Sequence, residues 1–238
     1  MNLQSHIEFE TKRQQIDTLQ EGVPFEDGAK YTFETFRVAA DEFYNSWTKK
    51  HFREVEPSTQ DLVKAYWKIV ETRSETIAVE YASDLDTITV GSGFPTDDAH
   101  DKSKYLPSDQ KNLFSSNDWN LNKISNLDRS LLKHVKEPIT GINVPWLYLG
   151  MLFSTFCWHT EDNYFSSINF MHFGKEKVWY GIPSSHSRHF EKVLLISQIQ
   201  FCENSFLGFQ RLPSRIIQSE SRPSLPPQYP NIAFSSPW

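Results

Sequence analysis

The first half of the chain places apolar residues at helical spacing. Residues 31–52 predict one helix, because their large aromatic residues recur on a single helical face. These residues are Phe33, Phe36, Phe43 and Trp47. A second helix is predicted after Pro57, where Ser58 can act as N-cap and Asp61 can complete a capping box. Its apolar stripe comprises Leu62, Tyr66, Ile69 and Val70.

β-prone runs follow these helices. Residues 76–81 and 144–158 predict strands, and two shorter runs at 166–173 and 177–182 predict two more. A polar stretch over residues 96–118 is typical of a surface loop, and the helix that should follow Pro183 is expected to end near Leu195. The pattern therefore predicts a mainly β fold with flanking helices.

Both ends of the chain are polar. Residues 1–30 lack sustained periodicity and predict a linker, or a short helix leading into the domain. Residues 196–238 hold six of the 13 prolines and eight serines, and this composition is typical of a disordered tail. Apolar alternation just after Leu194 leaves open a continued barrel along a different path.

Composition narrows the possible functions. The chain has 238 residues, of which 38% are hydrophobic, and this is enough for one sizeable core. Cys157 and Cys202 are the only cysteines in the sequence. A disulfide framework is therefore not expected, and a reducing compartment is the expected location. The net charge of −6, with no polybasic block, argues against nucleic-acid binding. No stretch reaches the roughly 18 apolar residues of a membrane span.

His159 and Glu161 point to metal chemistry. In an extended strand, side chains two residues apart share one face, so the imidazole and the carboxylate could bind the same cation. They would supply two of the three ligands of a 2-His-1-carboxylate iron site. This spacing alone is weak, and two ordinary surface residues are the alternative.

Two later pairs repeat that spacing. They are Ser167 with Asn169, and Lys177 with Trp179. On three neighbouring strands the pairs would form one face that offers a metal, small hydrogen-bonding groups, an ammonium and an aromatic wall. Such a face would suit a dicarboxylate that chelates iron at one end and meets the ammonium at the other.

The sequence around these pairs resembles a known domain. The blocks VPWLYLGM (144–151), FCWHTED (156–162), SIN (167–169), HFG (172–174) and WYGIP (179–183) are similar to the JmjC domain of jumonji-type histone lysine demethylases, with the JARID subfamily as the nearest match. The resemblance covers roughly residues 30–195. It implies a partial double-stranded β-helix, a cupin-like jelly roll, over residues 113–195. Residues 31–112 would form a helical and mixed segment that packs on it.

The resemblance also implies roles for individual residues. His159 and Glu161 would bind Fe(II), and Lys177 would bind the distal carboxylate of 2-oxoglutarate. Tyr148 would lie near the methyl-lysine channel. The 2-oxoglutarate pocket would be lined by Tyr81, Phe156, Ser167, Asn169, Lys177 and Trp179. This sequence differs from the family's pattern at residues 163–166. It also has Glu176 where the family usually has proline. These differences affect the rim and the turn of the pocket.

The family's reaction and surroundings are implied in the same way. The substrate would be the histone H3 tail methylated at lysine 4, and oxidative N-demethylation would yield succinate, CO2 and formaldehyde. Chromatin complexes would be the partners and the nucleus the location, with no DNA-binding module in the chain itself.

One expected iron ligand is missing from this sequence. The family's second histidine lies on a later strand, and no histidine follows His189. The chain is therefore expected to be a truncated or altered JARID-type demethylase with impaired activity. Two alternatives stay open: a non-catalytic JmjC-like chromatin-binding protein, and a JmjC protein hydroxylase.

Overall fold

The computed structural model describes residues 6–22, 25–53, 55–95, 115–159, 161 and 165–193. Seven named elements follow one another within these residues. They are β1 (Phe9–Gln15), β2 (Glu26–Tyr31), α1 (Phe33–Phe52), α2 (Thr59–Thr72), β3 (Ala78–Asp86), α3 (Thr87–Val90) and β4 (Trp146–Gly150). A further helical segment, α4, covers residues 187–193. The predicted tail at 196–238 and most of the predicted loop at 96–118 lie outside the described residues.

The four strands form one sheet in the order β2-β1-β3-β4. Strands β1 and β2 run antiparallel, since Glu10 pairs with Lys30 and Lys12 pairs with Asp27 across them. The structure thus differs from the linker or short helix predicted for residues 1–30. Polar residues fill most positions of both strands, and hydropathy alone therefore does not reveal them.

Helix α2 begins as the sequence predicts. The Asp61 backbone N–H donates to Ser58 Oγ at 3.3 Å, and the Ser58 N–H donates to the Asp61 carboxylate at 3.1 Å. This reciprocal capping box satisfies two of the N–H groups that a helix start leaves unpaired. The predicted stripe is buried, at Leu62, Tyr66, Ile69 and Val70. The helix ends at Thr72, before Arg73 in a left-handed conformation with φ of 50°.

The strands predicted over residues 166–173 and 177–182 are not formed. Among the described residues after β4, none belongs to a strand. A strand needs a neighbour to pair its backbone N–H and C=O groups, and no described strand pairs with this segment. The helix predicted after Pro183 is confirmed, as a 3₁₀ turn at Ser184–His186 that leads into α4.

Packing divides the chain into two units. The first takes in the described residues up to Lys12, together with Asp27–Ala39 and Tyr81–Leu149. Its aromatic core includes Phe9, whose ring centroid lies 5.3 Å from that of Phe33 and 5.9 Å from that of Phe36.

The second unit takes in Arg13–Glu26, Ala40–Glu80 and the described residues from Gly150 onward. Phe153 lies at its centre and is fully buried. The Phe153 ring contacts Trp47 edge-on at 4.7 Å and Tyr66 at 6.0 Å. Helix α1 therefore contributes to this core through its second half, and α2 contributes through its buried stripe.

Candidate functional site

His159 and Glu161 lie side by side in the second unit. His159 Nε2 is 4.0 Å from Glu161 Oε1, and both side chains are about half exposed. His159 Nδ1 lies 2.8 Å from the carbonyl oxygen of Cys157. Because a carbonyl oxygen can only accept a hydrogen bond, Nδ1 must carry a proton. In a neutral ring Nε2 then has no proton, and its lone pair is available on the side of Glu161. This is the tautomer and the second hydrogen bond typical of a metal-binding histidine.

The donor set of this pair suits a divalent metal, since imidazole nitrogen and carboxylate oxygen are both ligands for iron. Donors about 2.1 Å from one ion lie about 3.0 Å apart when they occupy neighbouring positions, as in a facial triad. The pair, at 4.0 Å, would have to close by about 1 Å to share an ion in that way. Within the described ranges, no group of three or more His, Cys, Asp or Glu side chains could hold a metal.

Lys177 lies against two aromatic rings. Its Nζ is 5.4 Å from the centroid of the Phe156 ring and 5.7 Å from that of Trp179, and these rings are 4.9 Å apart. Burial lowers the pKa of Lys177 to about 8, because leaving water penalises the charged ammonium. An anion beside Nζ would offset that penalty.

Phe156 connects this ammonium to His159 and Glu161. Its ring meets the His159 ring edge-on at 6.1 Å and also contacts both Lys177 and Trp179. The structure thus brings together five of the predicted site residues in one series of contacts, namely Glu161, His159, Phe156, Lys177 and Trp179. Ser167 and Asn169, by contrast, are exposed and lie outside any strand. The common face predicted for all three pairs is not formed, because without a strand ladder nothing imposes the alternation of side chains.

Tyr81 and Tyr148 belong to the first unit. They lie on β3 and β4, with ring centroids 6.2 Å apart and nearly parallel planes. Trp146 packs perpendicular to Tyr148 at 6.4 Å. Burial raises the pKa of Tyr81, so its phenol stays neutral at physiological pH.

Two contacts that attach residues 155–180, the site segment, to the rest of the unit are not predicted by the sequence. Trp67 Nε1 donates to the hydroxyl of Tyr180 at 2.6 Å. Lys175 Nζ donates to Glu56 Oε1 at 3.3 Å, and the same carboxylate accepts from the hydroxyl of Tyr44. Neither contact can be recognised from the spacing of residues in the sequence, because the two partners of each contact are far apart along the chain.

The chain matches the family model described as "JmjC domain, hydroxylase" over residues 146–223. This match includes β4 and the whole candidate site in the second unit. It also continues past residue 195, where the sequence analysis ends the resemblance.

Curated proteins with similar sequences carry related names. Lysine-specific demethylase JMJ703 of Oryza sativa subsp. japonica is 40% identical over 171 residues, which are 71% of this chain and 13% of that protein. Lysine-specific demethylase 5D of Homo sapiens is 38% identical over 165 residues, 69% of this chain and 10% of that protein. Lysine-specific demethylase JMJ17 of Arabidopsis thaliana is 39% identical over 179 residues, 75% of this chain and 14% of that protein.

The chain thus spans only 10% to 14% of the length of these relatives. No helix in the part of the chain that the structure describes is long and apolar enough to cross a membrane. The predicted fold class, a sheet with flanking helices that forms part of a jelly roll, is confirmed by the family match together with the four-stranded sheet. The chain therefore carries JmjC-domain sequence and is similar to lysine-specific demethylases.

Proposed function

We propose that this chain binds Fe(II) and 2-oxoglutarate and serves the oxidative removal of methyl groups from lysine 4 of histone H3. The observation that carries the proposal is the series of contacts from His159 through Phe156 to Lys177. It joins a metal-ligand pair to a partly buried ammonium, as a metal-chelating dicarboxylate requires. The names of the relatives support methyl-lysine as the substrate class, and the histone H3 tail, chromatin complexes and the nucleus follow as proposed partners and location.

His159 and Glu161 would hold the iron. The Nδ1–H···O=C bond to Cys157 fixes the plane of the imidazole and keeps Nε2 available. Glu161 contributes the negative charge that offsets part of the charge of the metal. When bound, iron and 2-oxoglutarate would activate dioxygen for hydroxylation of an N-methyl group, with succinate, CO2 and formaldehyde as products.

Lys177 would bind the distal carboxylate of 2-oxoglutarate. With a pKa of about 8, the side chain is mostly charged at neutral pH and loses its proton in mildly alkaline solution. The rings of Phe156 and Trp179 exclude water around Nζ, which strengthens the attraction between ammonium and carboxylate. Ser167 and Asn169 would provide hydrogen bonds to the same ligand.

Tyr148 would contact the methylated lysine. An aromatic face attracts a methylated ammonium through cation–π interaction, and Tyr148 has Trp146 packed against it as a second ring. The pair would therefore favour a cationic side chain over a neutral one.

The test is 2-oxoglutarate binding in the presence of Mn(II), measured by calorimetry on the full chain. Lys177→Met should weaken binding at least tenfold, because a buried charge-assisted contact is lost. Lys192→Met is the matched control, since Lys192 is an exposed lysine on α4; it should bind like the wild type. Equal affinities for Lys177→Met and Lys192→Met would contradict the proposal.

A second candidate function is non-catalytic binding of a histone peptide. It is favoured by the small number of candidate metal ligands at the site. The described residues there offer the pair His159 and Glu161, and the described ranges contain no group of three or more such side chains that could hold a metal. Under this reading, a peptide carrying trimethylated lysine would bind, Tyr148→Ala would abolish its binding, and its mass would not change after incubation with Fe(II) and 2-oxoglutarate. Loss of a methyl group from the peptide would instead establish the first function.

A further inference from the structure

Gln14, at the end of β1, forms two hydrogen bonds with the backbone of a single residue near the site. Its Nε2 donates to the carbonyl oxygen of Thr155 at 2.6 Å, and its Oε1 accepts from the Thr155 N–H at 2.7 Å. The Gln14 side chain is only 1% exposed. It thus pairs both backbone groups of Thr155, as a neighbouring strand would.

Tyr66 holds the same residue at a third atom. Its hydroxyl lies 3.0 Å from Thr155 Oγ1, which itself donates to the carbonyl oxygen of Phe153 at 2.8 Å. Because the Thr155 proton is used in that bond, Tyr66 must be the donor to Oγ1. Burial raises the pKa of Tyr66 to about 12, so the phenol keeps the proton that this contact needs.

Thr155 stands where the chain leaves the core. Phe153 and Ser154 before it are buried, Thr155 and Phe156 are partly buried, and residues 157–159 are exposed. No strand fixes the path of the described residues beyond this point. The direction in which the chain reaches His159 therefore depends on how Thr155 is held.

We propose that Gln14 is a positioning residue for the metal-ligand pair. It acts through Thr155 and sets the path of Phe156 and His159 as they leave the core. The inference rests on the proposed function, because it assigns Gln14 to the same site. Gln14 lies outside the residues matched to the family model, in the segment that hydropathy alone predicts to be a linker.

The test compares Gln14→Leu with Gln20→Leu in the full chain. Leucine has a similar size and leaves the N–H and C=O of Thr155 without their partner, whereas Gln20 is exposed and serves as the matched control. Two quantities are measured well below the unfolding temperature of each variant. One is amide hydrogen exchange over residues 155–159, and the other is Co(II) affinity, read from the visible absorption of the bound ion.

Gln14→Leu should speed exchange at Thr155 and weaken Co(II) binding about tenfold, as loss of an outer contact to a metal site typically does. Gln20→Leu should change neither quantity. A purely structural role would lower the unfolding temperature of Gln14→Leu and leave the Co(II) affinity of the folded protein unchanged, and that result would overturn the inference.

Gln14→Asn provides a second variant in case Gln14→Leu does not fold. Its neutral amide is one methylene too short to reach both the N–H and the C=O of Thr155, so an intermediate loss of Co(II) affinity is expected. A folded Gln14→Asn with wild-type affinity would also overturn the inference. If the wild-type chain binds no Co(II), the proposed function fails and the inference falls with it, an outcome distinct from equal binding by wild type and variants.

Discussion

Helix α2 and the site segment at residues 155–180 lie in the same unit and are stabilised in different ways. The cap that begins α2 comes from its own first turn, through Ser58 and Asp61, and the apolar stripe of the helix lies at helical spacing. The polar contacts that hold the site segment reach across 141 residues to Gln14 and across 113 residues to Trp67. The start and the apolar face of α2 are encoded locally, and the position of the site segment depends on distant partners.

The difference bears on how each region opens. A helix with its own cap and buried stripe loses its contacts together with the core. A segment without strand pairing is attached at a few points, and such regions open with a lower free energy than the core. The candidate site is therefore expected to be more mobile than the scaffold that carries it.

The largest effect expected from this comparison comes from Phe153→Ala. Phe153 is fully buried against Trp47 and Tyr66, so truncation should cost about 3–5 kcal/mol of unfolding free energy. Phe170→Ala is the matched change in the site segment, and since Phe170 is 54% exposed it should cost less than about 1 kcal/mol. Urea denaturation measures both, and similar costs would show that the two regions share one core.

The second effect is a pH dependence at Lys177. Folding lowers its pKa from 10.5 to about 8, so between these values the unfolded chain binds a proton that the folded chain does not. The free energy of unfolding should therefore rise with pH across this window, by at most about 1.4 kcal/mol per pH unit. Lys177→Met should remove that rise, as urea denaturation at several pH values would show. A wild-type rise that the variant retains would mean that Lys177 is solvated like an ordinary lysine.

The contrast between α2 and the site segment also explains how much of this structure the sequence predicts. The stripe and cap of α2 could be read directly, because a helix is specified by residues three and four positions apart. The common face predicted for the strands after β4 could not be read in this way. Strand pairing depends on neighbouring strands, and the spacing of residues along one strand does not show which neighbours it will have. His159 and Lys177 were predicted as site residues from residue type and from the family resemblance. Gln14 was missed, because a polar residue in a polar stretch carries no sign that it will be buried.

The third effect compares two helix starts. Ser58→Ala removes the side-chain acceptor of the α2 capping box and should cost about 1 kcal/mol. Ser184→Ala changes a serine in the 3₁₀ turn that leads into α4, where no side-chain cap is formed at Pro183, and should change stability by no more than about 0.5 kcal/mol. Thermal unfolding followed by circular dichroism would measure the two costs. An equal loss from both would show that the start of α4 is capped as firmly as the start of α2.

The smallest effect is expected at the ion pair between Glu56 and Lys175, whose side chains are 66% and 48% exposed. Glu56→Gln keeps an acceptor for the hydroxyl of Tyr44 and removes only the charge, so the cost should be about 0.5 kcal/mol or less and should vanish in high salt. Denaturation of wild type and variant at low and high salt provides the measurement. A salt-independent cost above about 1.5 kcal/mol would mean that the turn at Lys175 holds the site segment more firmly than its exposure indicates. The burial of Gln14 would then no longer set it apart as the main attachment of the site.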